Sequence, residues 1–283
     1  MTKITAQAVK SLRDRTQLPM MECKKALVEN DGDEEKAIEA LRKQGKSKMT
    51  GREDRETGEG YVAVHADIPG SVGAMVEFRC ESGPVAGNEE FRQLANDLAK
   101  QLATGPGAAT AEELLAQDSP SKDGMTLQQQ FDDLNNRLRE TFKVARLVRI
   151  DSPCGGYAHH TGTDGVLLET NGGEQQAANE IAMHVAAMKP TVVATDDLDQ
   201  EKVEKERGIL MEAARQEGKP ENILAKMVEG RMRVYYEENV LLEQKFIKDE
   251  KGKTPVKKVA KDAGMEIASF LHWKLGKADS PEG

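Results

Sequence analysis

The side chains that could carry catalytic or metal chemistry in this chain of 283 residues are few and scattered. Histidine and cysteine are common metal ligands, and the sequence has five histidines and three cysteines. The one adjacent pair is His159 and His160. Neighbouring side chains on a strand point to opposite faces, so this pair predicts no shared metal ion. We expect no metal or cofactor and interpret the histidines as surface or hydrogen-bonded structural residues.

Motifs that define common enzyme classes are also missing from the sequence. It contains no phosphate-binding Gly-x-x-x-x-Gly-Lys, no Gly-x-Ser-x-Gly elbow and no His-Glu-x-x-His. The many carboxylates are spaced as on solvated helix faces. We therefore predict that the chain is not an enzyme and that its function depends on surfaces.

Charge and composition narrow the class of partner. The formal net charge of −9 argues against nucleic acid, because phosphate binding favours a basic surface. Cys23, Cys80 and Cys154 are odd in number and far apart, which is typical of free thiols in a reducing cytosol. No apolar run reaches the length of about 20 residues that spans a membrane, and the first residues lack the apolar region of a signal peptide. We expect a cytoplasmic protein with a protein partner and no membrane partner.

The stretch best placed to meet such a partner is residues 80–91. It is predicted as the end of a strand over 72–78, a short turn, and the start of a helix that has Asn88 as its N-cap. The helix has apolar residues at helical spacing: Phe91, Leu94, Ala95, Leu98 and Leu102. A turn held between two rigid elements presents its tip to solvent, which favours a contact role.

Residues 1–46 are predicted as three short helices. Thr5 is the expected N-cap of the first helix, Pro19 opens the second, and Gly45 is expected to end the third. So small a bundle resembles a ubiquitin-associated (UBA) domain, which is usually a docking module. Residues 47–59 lack an apolar period and are predicted as a charged linker.

The remaining chain predicts an α+β core with an internal duplication. Strand, strand and helix occur in residues 60–152, and the same order recurs in residues 153–283. Within the second part, residues 198–236 predict an antiparallel helical hairpin, and residues 267–275 predict a strand in the same sheet. On the second hairpin helix, the spacing predicts an apolar face formed by Ile223, Met227, Gly230 and Val234.

Several blocks of the sequence resemble the bacterial elongation factor Ts family. They include Met20-Met21-Glu22-Cys23-Lys24-Lys25-Ala26-Leu27 and Lys226-Met227-Val228-Glu229-Gly230-Arg231-Met232, together with residues 9–16, 32–42, 157–167, 181–187 and 241–249. The blocks cover nearly the whole chain in the order expected for that family.

The resemblance implies a guanine-nucleotide exchange factor that binds elongation factor Tu, disturbs its Mg²⁺ and phosphate site, and promotes release of GDP so that GTP can bind. By position, it implies partner contacts for Lys10, Arg13, Met20 and Met21. His159 matches a family histidine that reaches the partner near its phosphate-binding loop. For Met20 core packing remains an alternative, and for His159 a structural role does.

One departure from the family pattern falls at the tip of residues 80–91. The family usually has Thr-Asp-Phe-Val, whose Asp-Phe pair inserts between partner helices and displaces Mg²⁺, whereas this chain has Ser82-Gly83-Pro84-Val85. The same four positions are therefore expected at the partner's Mg²⁺ site, but without the carboxylate and the ring.

The departure keeps a second function open, in which the chain binds elongation factor Tu as a chaperone-like protein with weak exchange. An adaptor that uses the N-terminal bundle alone is a third, weaker reading because it ignores the core. A homodimer through the helical arms also stays open.

Overall fold

The computed structural model describes residues 4–50, 55–217 and 220–277. The fold is α+β, as predicted. The chain divides into two compact units. Unit 1 comprises Met1–Ala63, Val76–Val148 and Thr161–Thr163, and unit 2 comprises Val64–Met75, Arg149–His160 and Asp164–Gly283. Among the described residues, none of the helices has both the length and the apolar character that a membrane span requires.

Unit 1 begins with the three predicted helices, α1 (Ala6–Thr16), α2 (Met20–Glu29) and α3 (Glu34–Thr50). The Thr5 hydroxyl caps α1 by accepting a bond of 3.2 Å from the backbone N–H of Ala8. Pro19 stands one position earlier than expected, at the N-cap of α2. The three helices bury a common apolar core: Val9, Leu12, Cys23, Ala26, Leu27, Ala37 and Leu41.

The prediction that Gly45 ends α3 was wrong, because this helix continues through Gly45 to Thr50. A Cβ on Gly45 would lie 1.9 Å from the side-chain oxygen of Asn136. Glycine here lets the Asn136 side chain approach α3 closely, and a larger residue would have to displace that side chain. The start of the predicted linker is helical, and its residues 51–54 lie outside the described ranges. The separate module of residues 1–46 stays a prediction.

The rest of unit 1 combines a sheet with four helices. The strands β1 (Glu59–Asp67), β2 (Val72–Cys80) and β3 (Lys143–Ile150) form a three-stranded sheet in the order β1-β2-β3, of which the outer half of the β1–β2 hairpin, Val64–Met75, is counted with unit 2. The helices are α4 (Gly83–Ala86), α5 (Glu89–Thr104), α6 (Ala111–Leu115) and α7 (Leu127–Leu138). Four rings from the strands and helices cluster in the core: Phe78, Phe91, Phe131 and Phe142. The rings of Phe78 and Phe91 stack at 4.4 Å and join the end of β2 to the start of α5.

Unit 2 repeats the pattern of strand, strand and helix. The strands β4 (Cys154–Ala158), β5 (Asp164–Asn171) and β6 (Glu266–Lys274) pair antiparallel in the order β4-β5-β6. The prediction that the tail strand joins this sheet is confirmed. The helix α8 (Gln175–Met188) packs on one face through Ala178, Ile181, Ala182 and Val185, and α11 (Val256–Asp262) adds Val256 and Ala260 to the same core.

Two adjacent glycines in β4 allow close packing on both faces of this sheet. A Cβ on Gly155 would lie 2.5 Å from the Cβ of Ala178 on α8. A Cβ on Gly156 would lie 2.7 Å from the Cβ of Ala66 in the β1–β2 hairpin. Because successive strand residues face opposite sides, the sheet is enclosed by a helix on one side and by the outer half of the hairpin on the other.

The helical hairpin of unit 2 consists of α9 (Gln200–Gln216) and α10 (Glu221–Asn239), two antiparallel helices. The prediction for the packed face of α10 was wrong. Ile223 and Val234 are exposed, whereas Leu224, Val228 and Met232 are buried. Val228 and Met232 share an apolar cluster with Val203 of α9. Both sets recur at helical spacing, so periodicity alone does not tell which set meets the other helix.

Candidate partner-binding site

The connection from β2 to α5 is more structured than the predicted turn. Between Cys80 and Glu89 it contains α4, a helix of a single turn. Pro84 fits here because helix starts tolerate its fixed φ and missing N–H. Gly83 and Pro84 are exposed, Val85 is half-buried and Ala86 is buried. The four predicted contact residues Ser82, Gly83, Pro84 and Val85 therefore form one small surface, here called the tip.

Two carboxylates, Glu81 and Glu140, join the tip region to the segment between α7 and β3. The Glu140 carboxylate accepts the backbone N–H of Ser82 at 3.1 Å and also the Ser82 hydroxyl. In the opposite direction, Glu81 accepts the backbone N–H of Thr141 at 2.7 Å and an Arg55 N–H at 3.1 Å. Partial burial disfavours ionised Glu81, but the bonds from Thr141 and Arg55 outweigh it and lower its pKa.

The C-terminal end of α4 is also fixed. The carbonyl of Ala86 accepts a bond of 3.1 Å from Nε of Arg92, whose guanidinium lies 5.3 Å from the ring centre of Tyr61. Asn88 is the N-cap of α5, as predicted, because its side-chain oxygen accepts the N–H groups of Glu90 and Phe91 at 2.9 and 3.2 Å. The tip is thus held at both ends by polar contacts.

The cysteine beside the tip has no features of a nucleophile. Cys80 is buried, and its thiol donates to the carbonyl of Ser82 at 3.3 Å. Burial raises the pKa of Cys80 to about 12, so the thiolate needed for nucleophilic attack is not formed near neutral pH. The chemistry of this site is limited to contact and hydrogen bonding.

In unit 2, His159 lies directly after β4, at the start of the turn to β5. Its backbone N–H donates to the carbonyl of Asp164 at 2.9 Å, and its ring lies 6.3 Å from the ring of Tyr157. The expectation that His159 and His160 point apart was wrong. Their ring centres are 4.2 Å apart, because the strand has ended and the turn brings them together. Within the described ranges, no group of three His, Cys, Asp or Glu side chains is placed to hold a metal ion.

The predicted N-terminal contact residues lie on the surface of the helical bundle. Lys10 and Arg13 are exposed on α1. Met21 is 72% exposed on α2, as expected. Met20 is 50% exposed, so the alternative of core packing for this residue was wrong. Val28 is also exposed, seven residues after Met21 and therefore on the same side of α2. The sequence analysis did not identify it.

Sequence reasoning also missed Glu140 and Arg92, the residues that hold the tip. Arg92 follows the tip closely, but Glu140 is 58 residues from Ser82 in the sequence. No pattern near Ser82 indicates such a distant partner. The capping residue Asn88 was found because its signal is local.

Comparison with known proteins gives one consistent family. A family model described as "Elongation factor TS" matches residues 81–277. An elongation factor Ts of Kineococcus radiotolerans is 43% identical over 282 residues, covering 98% of this chain and 100% of the relative. An elongation factor Ts of Micrococcus luteus is 41% identical over 98% of this chain and 100% of the relative. One of Aquifex aeolicus is 39% identical over 96% of this chain and 98% of the relative.

Proposed function

Because the chain belongs to the elongation factor Ts family and so has a role in translation elongation, we propose that it is a guanine-nucleotide exchange factor for elongation factor Tu. The observation that carries the proposal is the tip, a short exposed helix held at both ends. A rigid protrusion enters a partner with less loss of conformational freedom than a mobile loop.

The proposed mechanism is a linkage between two binding equilibria and involves no covalent step. Exposed Met20 and Met21 of α2, with Lys10 and Arg13 of α1, give the first contact with the GTPase. The tip then enters near the Mg²⁺ and phosphates of the partner, a site to which His159 also contributes. A protein that binds the nucleotide-free GTPase more tightly than the GDP form weakens GDP binding by the same factor. GTP then binds to the vacated site.

The test is release of a fluorescent GDP analogue from GDP-loaded elongation factor Tu of the same cell. Adding the purified chain should raise the release rate by at least about 10-fold, because coupling that weakens GDP binding appears mainly in its dissociation rate. A chain that leaves the rate unchanged at saturating concentration would overturn the proposed exchange activity.

A second function, binding of elongation factor Tu with weak exchange, is favoured by the chemistry of the tip. Gly83 and Pro84 present no carboxylate and no aromatic ring, so the tip has little area to insert. Complex formation in gel filtration together with an unchanged GDP release rate would establish this second function in place of the first.

The double change Gly83→Asp/Pro84→Phe separates the two functions further. A Cβ on Gly83 meets no atom within 4 Å, so the new side chain points into open space. Burial of the phenylalanine ring in the partner should raise the maximal release rate by about 10-fold. The matched control is Gly87→Asp, which adds the same charge after α4 and should not raise the rate. An unchanged or lower rate for the double change would mean that the partner has no pocket for the ring.

A further inference from the structure

The segment that carries Glu140 is itself fixed on both sides. It begins at Arg139, the left-handed C-cap of α7, whose backbone N–H donates to the carbonyl of Asn135 at 2.7 Å. It ends at Phe142, a buried ring 5.5 Å from Phe78 and 5.2 Å from Phe91. The backbone of Glu140 is therefore held between the end of α7 and the aromatic core of unit 1, and its carboxylate meets the tip through Ser82.

The tip, in contrast, has little structure of its own. A helix of four residues cannot repay the cost of nucleating helical structure, and Gly83 adds backbone freedom that folding must remove. The conformation of α4 thus depends on contacts at its ends. At the N-terminal end these are the two hydrogen bonds from Ser82 to Glu140, which belong to the stronger class because the acceptor is charged.

We propose that Glu140 is a positioning residue for nucleotide exchange, which acts through Ser82 to present α4 to the GTPase in a preformed conformation. This inference rests on the proposed function. Its physical basis is that the ordering of the tip takes place during folding of the free protein. Without Glu140, the same ordering would have to occur during insertion and would raise the barrier to GDP release.

The first arm of the test needs no partner and measures hydrogen exchange at the amides of Ala86, Gly87 and Asn88. These amides donate to the carbonyls of Ser82, Gly83 and Val85 at 3.1, 3.0 and 3.0 Å, so their protection reports α4 directly. Glu140→Ala should raise their exchange rates by about 10-fold, the size expected for loss of bonds to a carboxylate. Glu113→Ala is the matched control, because Glu113 accepts a loop amide, that of Ala109, at 2.8 Å. Unchanged tip exchange in Glu140→Ala would overturn the proposal.

The second arm measures GDP release against the concentration of the chain, which gives a maximal rate and a half-saturating concentration. Glu140→Ala should lower the maximal rate by about 10-fold and shift the half-saturating concentration by less than about 2-fold, because encounter depends on other surfaces. A purely structural role gives a different result. Partial unfolding reduces the active fraction, so it raises the apparent half-saturating concentration and leaves the maximal rate unchanged, which would overturn the proposal.

Two further variants test whether Glu140 acts through Ser82. Glu140→Gln keeps one acceptor oxygen of similar reach and should restore the maximal rate to within about 3-fold of the unaltered chain. Ser82→Ala removes only the hydroxyl bond to Glu140, a bond already lost in Glu140→Ala, so it should add no further loss to that variant. Fully additive losses would contradict action through Ser82.

The two proposals fail in different ways. If the unaltered chain does not accelerate GDP release, the exchange function falls and the role of Glu140 in it falls as well. If the unaltered chain accelerates release and Glu140→Ala does so equally, exchange stands and the positioning role is wrong.

Discussion

The connection from β2 to α5 and the connection from β5 to α8 join equivalent elements of the two units but are built differently. The first has eight residues, contains α4 and ends with the side-chain cap of Asn88. The second has three residues, Gly172, Gly173 and Glu174, and no side-chain cap bond. The two glycines have φ values of +73° and +98°, a region in which other residues are strained.

The difference shows how a repeated unit of strand, strand and helix can acquire a contact surface in one copy. The two left-handed glycines of the shorter connection have no side chains to present, and this turn only leads the chain from β5 into α8. An eight-residue connection exposes Gly83 and Pro84, but it needs contacts such as those of Glu140 and Arg92 to stay ordered. The longer connection thus has an exposed surface, and polar residues outside it keep that surface ordered.

The largest expected effect comes from placing a side chain in the shorter connection. A Cβ on Gly173 would lie 2.6 Å from the Cβ of Met265, at a φ of +98°. Gly173→Ala should therefore destabilise unit 2 by about 2–4 kcal/mol, from backbone strain and displacement of Met265. The measurement is urea unfolding followed by the fluorescence of Trp273, the one tryptophan of the sequence and a buried residue of unit 2.

The matched change in the longer connection is Gly83→Ala. Gly83 has open space around its Cβ position and lies within a helix. The free energy of unfolding should stay within about 0.5 kcal/mol of the unaltered value. Equal losses for the two alanine changes would contradict the contrast between the connections.

A smaller effect is expected in the pH dependence of the stability of unit 2, because His184 is buried on α8 in this unit. The backbone N–H of Ile247 donates to its Nδ1 at 3.1 Å, so the neutral ring carries its proton on Nε2 and donates to Gln244 Oε1 at 3.0 Å. Burial lowers the pKa of His184 below the ordinary value of 6.5. Burial also lowers the pKa of His272 on β6, against the opposing effect of Asp164.

The sign of the pH effect follows from these lowered values. Below about pH 6.5 the unfolded chain binds protons that folded unit 2 does not bind, so stability is complete at neutral pH and falls with acidification. Between pH 7.5 and 5.5, unfolding followed by Trp273 should lose about 1 kcal/mol. If the free energy of unfolding stays constant or increases as the pH is lowered from 7.5 to 5.5, these histidines are not held neutral.

The smallest effects concern the two helix starts. Asn88→Ala removes the cap of α5 and should cost about 1 kcal/mol. Glu174 makes no side-chain cap bond at the start of α8, so Glu174→Asn should stabilise unit 2 by about 0.5 kcal/mol. Thermal unfolding of both variants provides the comparison. A loss in Glu174→Asn would mean that the glycine turn does not leave room for a cap.

Local signals were sufficient for much of the fold. Thr5 and Asn88 were predicted as caps because capping depends on neighbours within three residues, and the tail strand was predicted from its alternation. Gly45 was misjudged because a glycine that ends a helix and one that lets a second helix approach look alike in sequence. The packed face of α10 was misjudged because this helix has two apolar stripes.

The position of the tip could be predicted from the sequence, but its secondary structure and its hydrogen bonds could not. The tip was located from its strand and helix, whereas α4 and its bonds to Glu140 depend on a contact across 58 residues. The exposed position of Met20 depends on how α1 and α3 cover α2. Such contacts are set by tertiary packing, which a single sequence does not display.

The burial of all three cysteines has a consequence for oxidative stress. Cys23, Cys80 and Cys154 are buried, and desolvation raises the pKa of both Cys80 and Cys154 to about 12. At pH 7 only about one in 10⁵ of those two thiols is a thiolate, the form that peroxides attack. The strand ends that carry Cys80 and Cys154 should therefore keep their chemical state when the peroxide concentration rises.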